Sequence, residues 1–199
     1  GETGWYWNRE SSAGCSSFIS MLHQSSSVPL ASGLTVEVNL TTVRSPFRAG
    51  TRYTRRGGDA EGWVANEATT RLQARIVGPG GGDPPGDELS FFTTRGSIPL
   101  VWSSPMTVGK YNPKVRLSPD VRGNGDACYR HFRRLERRWG GVAVVNLVDK
   151  GGSGQGRLGE AFRITTAACK RWGANVGWGW WDFHEITREM GYDEGVERI

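Results

Sequence analysis

The sequence predicts an α/β fold in which a mixed sheet is flanked by helices. Short β-rich runs bounded by glycine and proline fill the first half of the chain. In the second half, amphipathic helical stretches alternate with short apolar runs. A chain of 199 residues is long enough for one domain with a core of its own. We therefore expect a single α/β domain.

Two strands are predicted by residue composition in the first half. The segment from Leu34 to Thr42 alternates apolar and polar side chains, as half-buried antiparallel or edge strands do. The apolar residues of its expected inward face are Leu34, Val36, Val38 and Leu40. A second strand is predicted from Leu89 to Thr94.

A hairpin and an insertion are predicted between these strands. Basic residues from Arg52 to Arg56 lead into Gly57-Gly-Asp59, a turn composition, and a returning strand is expected from Gly62 to Ala68. Gly78 to Gly86 contains only Gly, Pro and Asp, a composition that supports neither regular backbone hydrogen bonding nor an apolar face that packs on a core. A flexible surface insertion is therefore expected at about residues 78–88.

Two amphipathic helices are predicted in the second half, each with apolar residues at spacings of three and four. The first starts near Asp126, which suits the helix dipole, and ends at Gly140. Its apolar stripe is Cys128, Phe132, Leu135 and Trp139, and its other faces carry Arg130, Arg133, Arg134, Arg137 and Arg138. The stripe of the second helix is Leu158, Phe162, Thr165, Cys169 and Trp172.

A short apolar run precedes and another follows the second helix. Val142 to Val148 and Val176 to His184 read as strands buried on both faces, joined by the helix as a parallel pair. The tryptophans at 178, 180 and 181 are expected in the core. Ligands gather at the carboxyl ends of parallel strands, so Asp182 and His184 are expected at the functional edge.

Charge and cysteine content narrow the classes of function. A formal charge of +5 and a pI near 9.4 favour anionic partners. Nucleic acid is not expected, because no nucleic-acid-binding module is recognisable. The three cysteines, Cys15, Cys128 and Cys169, lack C-x2-C spacing, which argues against a disulfide framework or a zinc site and favours a reducing compartment. No run approaches the roughly 18–20 apolar residues of a membrane span.

Several stretches resemble the Sac domain of the suppressor-of-actin phosphoinositide phosphatases, in order along most of the chain. The strongest match is Thr94-Arg-Gly-Ser-Ile-Pro-Leu-Val-Trp102. A second specific match is the arginine-rich segment Ser45-Pro-Phe-Arg-Ala-Gly-Thr-Arg-Tyr-Thr-Arg-Arg-Gly57, which is followed by Glu61-Gly-Trp-Val-Ala-Asn66. The remaining matches are Trp5-Tyr-Trp-Asn8, Tyr111-Asn-Pro-Lys114, the His131-Phe132 helix, Val145-Asn-Leu-Val148 and Asp182-Phe-His184.

The resemblance implies an incomplete phosphatase-like catalytic domain, with residues 1–199 forming its front part. It implies hydrolysis of phosphate from the inositol ring of phosphatidylinositol phosphates, without cofactor or metal, at the cytosolic face of endomembranes. The expected partners are a phosphoinositide lipid and an anionic membrane surface, with any membrane anchor outside the chain. Residues expected to bind the substrate or to line the pocket wall are Arg95, Asn66, Asp182 and His184.

Two departures from the family pattern qualify this expectation. An acidic Glu-Thr-Glu-Gln usually follows the Ala-Asn, but here Glu67-Ala-Thr-Thr continues the chain. The nucleophilic C-x5-R loop is expected beyond Ile199. Cys128 and Arg134 do form a C-x5-R, but on a helix, where no phosphate cradle can form. The chain alone is therefore expected to be inactive, and a non-catalytic module that binds phosphoinositides or a protein partner is the alternative.

Overall fold

A computed structural model describes residues 21–30, 33–50, 55–78, 88–105, 114–151 and 154–191. The strands are β1 (Met21–Pro29), β2 (Thr35–Arg44), β3 (Ala68–Val77), β4 (Leu89–Arg95), β5 (Trp102–Ser103), β6 (Arg116–Leu117), β7 (Val142–Asn146) and β8 (Val176–Trp180). The helices are α1 (Val121–Trp139), α2 (Gln155–Arg171) and α3 (Phe183–Met190). The mixed α/β class is confirmed, with the strands divided among three sheets.

Strands β1 to β4 form an antiparallel sheet in chain order. β2 corresponds to the strand predicted from Leu34 to Thr42 and is antiparallel as expected. It pairs with β1 on one side and β3 on the other, so of the two predicted alternatives it is the antiparallel strand and not the edge strand. β1 and β3 were not predicted, because their polar residues hide the alternation. β4 confirms the strand expected from Leu89 to Thr94.

The predicted returning strand from Gly62 to Ala68 is wrong. The segment forms a compact turn with one isolated bridge, Gly58 to Val64, and β3 begins only at Ala68. Left-handed backbone at Gly62 (φ 83°) and Asn66 (φ 58°) interrupts any strand there. A Cβ on Gly62 would lie 2.6 Å from the backbone nitrogen of His131, so glycine lets this turn pack directly on α1.

Helix α1 begins five residues before the predicted start. The side chain of Asp120, not Asp126, caps it by accepting a hydrogen bond of 2.9 Å from the backbone N–H of Gly123. Gly140 ends the helix as predicted, with a left-handed φ of 80°. Cys128, Phe132 and Leu135 are buried as expected, whereas Trp139 is only partly buried.

Helix α2 buries Leu158, Phe162 and Cys169 as predicted. The other two residues of the predicted apolar stripe, Thr165 and Trp172, are not buried. Thr166 is buried in place of Thr165, whose hydroxyl donates to the backbone oxygen of Ala161 in its own helix. The stripe's predicted last member, Trp172, is exposed at the end of the helix, where its backbone N–H closes the last turn.

Strands β7 and β8 form the predicted parallel pair, with α2 between them in sequence. The expectation that both faces are buried is wrong, since Val145 and Leu147 are exposed. Trp178 packs edge-on against Phe162, 4.8 Å between ring centroids, and confirms the core placement of this tryptophan. The side chains of Trp180 and Trp181 are partly buried.

The predicted strand from Val176 to His184 ends at Trp180, so its last part is wrong. Asp182 caps α3 and His184 lies in that helix. Asp182 fits the cap because its carboxylate can bond the free backbone N–H groups of a first helical turn.

The chain divides into two compact units, residues 1–49 with 66–96 and residues 50–65 with 97–199. The first contains the antiparallel sheet, and the second contains the helices and the core around Phe132. The predictions at residues 5–8, 51–54, 79–87 and 111–113 lie outside the described residues. Among the described helices, none is both long and apolar enough to cross a membrane.

Candidate functional site

The carboxyl ends of β7 and β8 bring two polar segments together in the second unit. The loop after β7 contains Asp149 and Lys150, and the start of α3 contains Asp182, His184 and Glu185. We call these five residues the strand-end cluster. Because β7 and β8 are parallel, both segments leave the sheet at the same edge, which is where α/β proteins place their ligand sites.

Asp182 joins the two segments of the strand-end cluster. Its carboxylate accepts a hydrogen bond of 2.6 Å from the backbone N–H of Lys150 and another of 3.0 Å from that of Glu185. Only 5% of its surface is exposed. Burial acts to raise the pKa of Asp182, but these two N–H donors and the charges of Lys150 and His184 together hold it below its ordinary value. Asp182 is thus an ionised structural anchor.

His184 is the exposed member of the cluster. Its Nδ1 lies 2.6 Å from Oδ1 of Asp149, and 71% of the histidine side chain is exposed against 34% of the aspartate side chain. The hydrogen bond to Asp149 and its negative charge raise the pKa of His184 above the ordinary value. Asp149 was not predicted from the sequence, although a carboxylate just past a buried strand was an available signal.

Two further groups lie at the same edge. Nζ of Lys150 is 3.7 Å from a carboxylate oxygen of Glu185, a loose and exposed ion pair. Asn146, the last residue of β7, is buried, and its backbone oxygen accepts a 2.8 Å hydrogen bond from Trp181. Its Nδ2 is also buried and has no hydrogen-bond partner within the described part of the chain. The edge therefore offers an imidazole with a raised pKa, an ammonium group and backbone fixed by Asp182.

The two described cysteines lie away from this edge, in the helical core. Cys128 on α1 and Cys169 on α2 are fully buried in one apolar cluster. Burial, and then the neighbouring thiol of Cys169, raise the pKa of Cys128 well above its ordinary value. Cys128 and Arg134 both lie in α1, which confirms the helical placement expected for this pattern. A buried thiol with a raised pKa is a poor nucleophile.

The other two predicted site residues belong to the first unit. Arg95 ends β4, opposite Ala68 of β3, and is exposed. Asn66 lies in the turn before β3 with left-handed backbone, and its side-chain oxygen accepts a hydrogen bond from Arg44. Asp182 and His184 are thus brought together, whereas Arg95 and Asn66 lie near each other in a separate unit.

Some of the arginines of α1 have structural partners. The guanidinium of Arg134 lies 4.0 Å from the ring centroid of Trp63 and donates to the backbone oxygen of Gly62. Arg133 forms an ion pair of 2.7 Å with Glu136 in the same helix. Arg130, Arg137 and Arg138 are exposed. The basic helix face is therefore partly a packing surface and partly a solvent-facing one.

Comparison with known proteins confirms the resemblance. A family profile described as the SacI homology domain matches residues 12–188. The chain belongs to the SacI homology domain family. Within the family, it is 31% identical over 156 residues to phosphatidylinositide phosphatase SAC2 of Danio rerio, and 33% identical over 159 residues to phosphoinositide phosphatase SAC6 of Arabidopsis thaliana.

A third SacI homology domain relative is phosphatidylinositol-3-phosphatase SAC1 of Saccharomyces cerevisiae, 32% identical over 160 residues. The alignments cover 78%, 79% and 78% of this chain, in the order in which the three relatives are named. They cover only 13%, 24% and 23% of those relatives. The chain thus matches a limited part of much longer phosphatases.

Proposed function

We propose that the protein to which this chain belongs hydrolyses phosphate from the inositol ring of phosphatidylinositol phosphates. The observation that carries the proposal is the family match over residues 12–188, together with relatives that are named as phosphatases of this lipid class. The chain supplies scaffold and part of the pocket wall.

The chemical step is assigned to a cysteine thiolate in a C-x5-R loop beyond Ile199, as the resemblance implies. A thiolate attacks the phosphorus, the inositol oxygen leaves, and water then releases phosphate from the cysteinyl phosphate. The burial of Cys128 and Cys169 supports this assignment, because neither thiol can reach a substrate. The 199-residue chain is accordingly proposed to be inactive alone.

Four residues are proposed to bind substrate or to line a pocket wall, two within each compact unit. His184 is exposed beside Lys150 at the strand ends and contacts a substrate phosphate, while Asp182 fixes the backbone below it. Arg95, at the end of β4, and Asn66, in the turn before β3, are the two proposed residues of the first unit. A fork-shaped guanidinium such as that of Arg95 can bond two phosphate oxygens at once.

The substrate lies in a membrane, and the proposed surface partner is an anionic leaflet on the cytosolic side. The formal charge of +5 and the exposed arginines of α1 support this partner. Each basic residue near such a surface contributes about 1 kcal/mol of attraction.

The test is phosphate release from a short-chain phosphatidylinositol phosphate, measured for the 199-residue chain and for a chain extended past Ile199. We expect release only from the extended chain. A matched control replaces its cysteine beyond Ile199 by serine and should abolish release. Release by the 199-residue chain would refute the assignment of the nucleophile.

A second candidate function is a module that binds phosphoinositide or protein without catalysis. It is favoured by one departure from the family pattern, the replacement of an acidic cluster after Asn66 by Glu67-Ala-Thr-Thr. Co-sedimentation with liposomes tests it. Equal binding of the chain to neutral and phosphoinositide-containing liposomes would exclude lipid recognition, and phosphate release by the extended chain would exclude a purely non-catalytic role.

A further inference from the structure

The Asp149 to His184 contact joins two segments that Asp182 already holds together. Asp182 bonds the backbone of Lys150 in the loop and of Glu185 in the helix, at 2.6 and 3.0 Å. The second link, Asp149 to His184, is 2.6 Å long and lies at the surface. The Asp182 bonds already hold the loop against α3. The main effect of the Asp149 to His184 contact is therefore on the orientation and pKa of the imidazole.

His184 stands where a helix disfavours positive charge. It lies in the first turn of α3, and the helix macrodipole places partial positive charge at that end. The charges around the ring are Asp149 in the loop, Asp182 at the cap, and Lys150, Glu185 and Arg188 nearby. Arg188 opposes protonation, whereas the two aspartates favour it, and Asp149 is the one in direct contact.

We propose that Asp149 is the positioning residue for His184, fixing the ring so that its exposed Nε2 side, when protonated, meets a substrate phosphate at the ends of β7 and β8. This inference rests on the proposed function for the identity of the ligand. A carboxylate that accepts from Nδ1–H fixes the orientation of a histidine ring, so the N–H that protonation adds at Nε2 is directed away from Asp149. A charge-assisted bond from that N–H to phosphate follows.

The raised pKa of His184 agrees with this geometry and gives the direction of the pH dependence. The cationic ring persists above the ordinary value of about 6.5, so phosphate binding is strongest at lower pH and is lost as pH rises through the folded-state pKa. Removing the charge of Asp149 lowers this pKa and moves the loss of binding to lower pH.

The test compares Asp149→Asn with Glu160→Gln, each an isosteric loss of one carboxylate. Glu160 is outside the strand-end cluster, on α2, where it pairs with Arg163. A pH titration followed by long-range ¹H–¹⁵N NMR of the 199-residue chain reports the pKa and tautomer of each histidine. The chain has three histidines, and the signals lost in His184→Gln are those of His184. Titrations with inorganic phosphate and with a soluble short-chain phosphatidylinositol phosphate report affinity.

We expect Asp149→Asn to lower the pKa of His184, to change its tautomer balance and to weaken binding of both probes about tenfold at neutral pH. Glu160→Gln should produce none of these effects. An unchanged pKa and tautomer, or absence of phosphate binding by the unmodified chain, would overturn the inference. The inference would also be overturned if Asp149→Asn lowered only the melting temperature, because a contact that serves stability alone would give that result.

Failure of the proposed function gives a different result. In that case the His184 pKa and the inorganic phosphate affinity respond to Asp149→Asn as expected, yet the chain extended past Ile199 releases no phosphate from the lipid. A response to inorganic phosphate without one to the lipid would restrict the ligand to free phosphate and would refute the lipid headgroup as the source.

Discussion

The buried carboxylate of Asp182 accepts a hydrogen bond of 2.6 Å from the backbone N–H of Lys150, 32 residues earlier in the chain. This bond fixes the loop after β7 against the start of α3. It therefore determines where Asp149 and His184 lie, because one is in that loop and the other in that helix.

Replacing Asp182 by Ala should destabilise the fold. The variant loses the cap of α3 and leaves the N–H of Lys150 without its acceptor, which together cost about 1–3 kcal/mol in the free energy of unfolding. Urea denaturation followed by circular dichroism measures the loss. Glu185→Gln, which removes only an exposed ion-pair partner, should change the free energy by less than about 0.5 kcal/mol. Equal effects of the two would contradict the anchor role.

The stability contributed by Asp182 should depend on acid pH. Its folded-state pKa lies below the ordinary value of about 3.8, so its contribution is complete above that value and is lost as pH falls through the lowered folded-state pKa. Unfolding free energies measured between neutral and strongly acid pH should converge for the unmodified chain and Asp182→Asn at the acid end. Parallel curves over the whole range would show that the charge of Asp182 is not the stabilising feature.

Cys128 should be unreactive in the folded chain. Its thiol is fully buried and its pKa is well raised, so almost no exposed thiolate exists at neutral pH. Mass spectrometry after brief treatment with iodoacetamide should find Cys128 unmodified in native buffer and fully alkylated in urea. Fast native alkylation of Cys128 would mean that it is accessible, and would reopen its assignment as a nucleophile.

Arg134 should contribute more to stability than its helical neighbour Arg137. Arg134→Met removes a cation–π contact with Trp63 at 4.0 Å and a hydrogen bond to Gly62, a loss of about 1–2 kcal/mol. Arg137 is exposed, so Arg137→Met should stay within about 0.5 kcal/mol of the unmodified chain. Thermal denaturation compares the two, and equal melting temperatures would contradict the contact.

One face of the four-stranded sheet should limit solubility. Leu72 and Phe91 are opposite each other on adjacent strands, and Ile76 and Leu89 share their face, all exposed. Phe91 itself is 63% exposed. Large exposed apolar patches promote association, so Phe91→Lys should raise the concentration at which light scattering begins. Val121→Lys, which replaces a single exposed apolar residue on α1, is the control and should have little effect.

The sequence predicted the second unit better than the first. Apolar spacing located α1, α2, β7 and β8, because these elements pack one face on a common core around Phe132 and Phe162. The apolar spacing did not predict β1 and β3, because apolar and polar residues alternate only weakly along these strands. Propensity also favoured a strand at 62–68, where the left-handed backbone of Gly62 and Asn66 prevents one.

Part of the candidate site could be predicted and part could not. Asp182 and His184 were expected at the strand ends, and the parallel pairing of β7 with β8 puts them there. The change from strand to helix at Asp182 was missed because the preceding tryptophans extend the β-like pattern. Asp149 was missed because its contact with His184 joins residues 35 positions apart.

The most direct test of the central claim is to trap the proposed cysteinyl phosphate. A chain extended past Ile199 is mixed with a phosphatidylinositol phosphate labelled on its ring phosphate, quenched in acid, digested and mapped by mass spectrometry. The label should be found on a cysteine beyond Ile199, and Cys128→Ser should leave its amount unchanged. Label on Cys128, or phosphate release with no labelled cysteine in rapid-quench samples, would contradict the proposed chemistry.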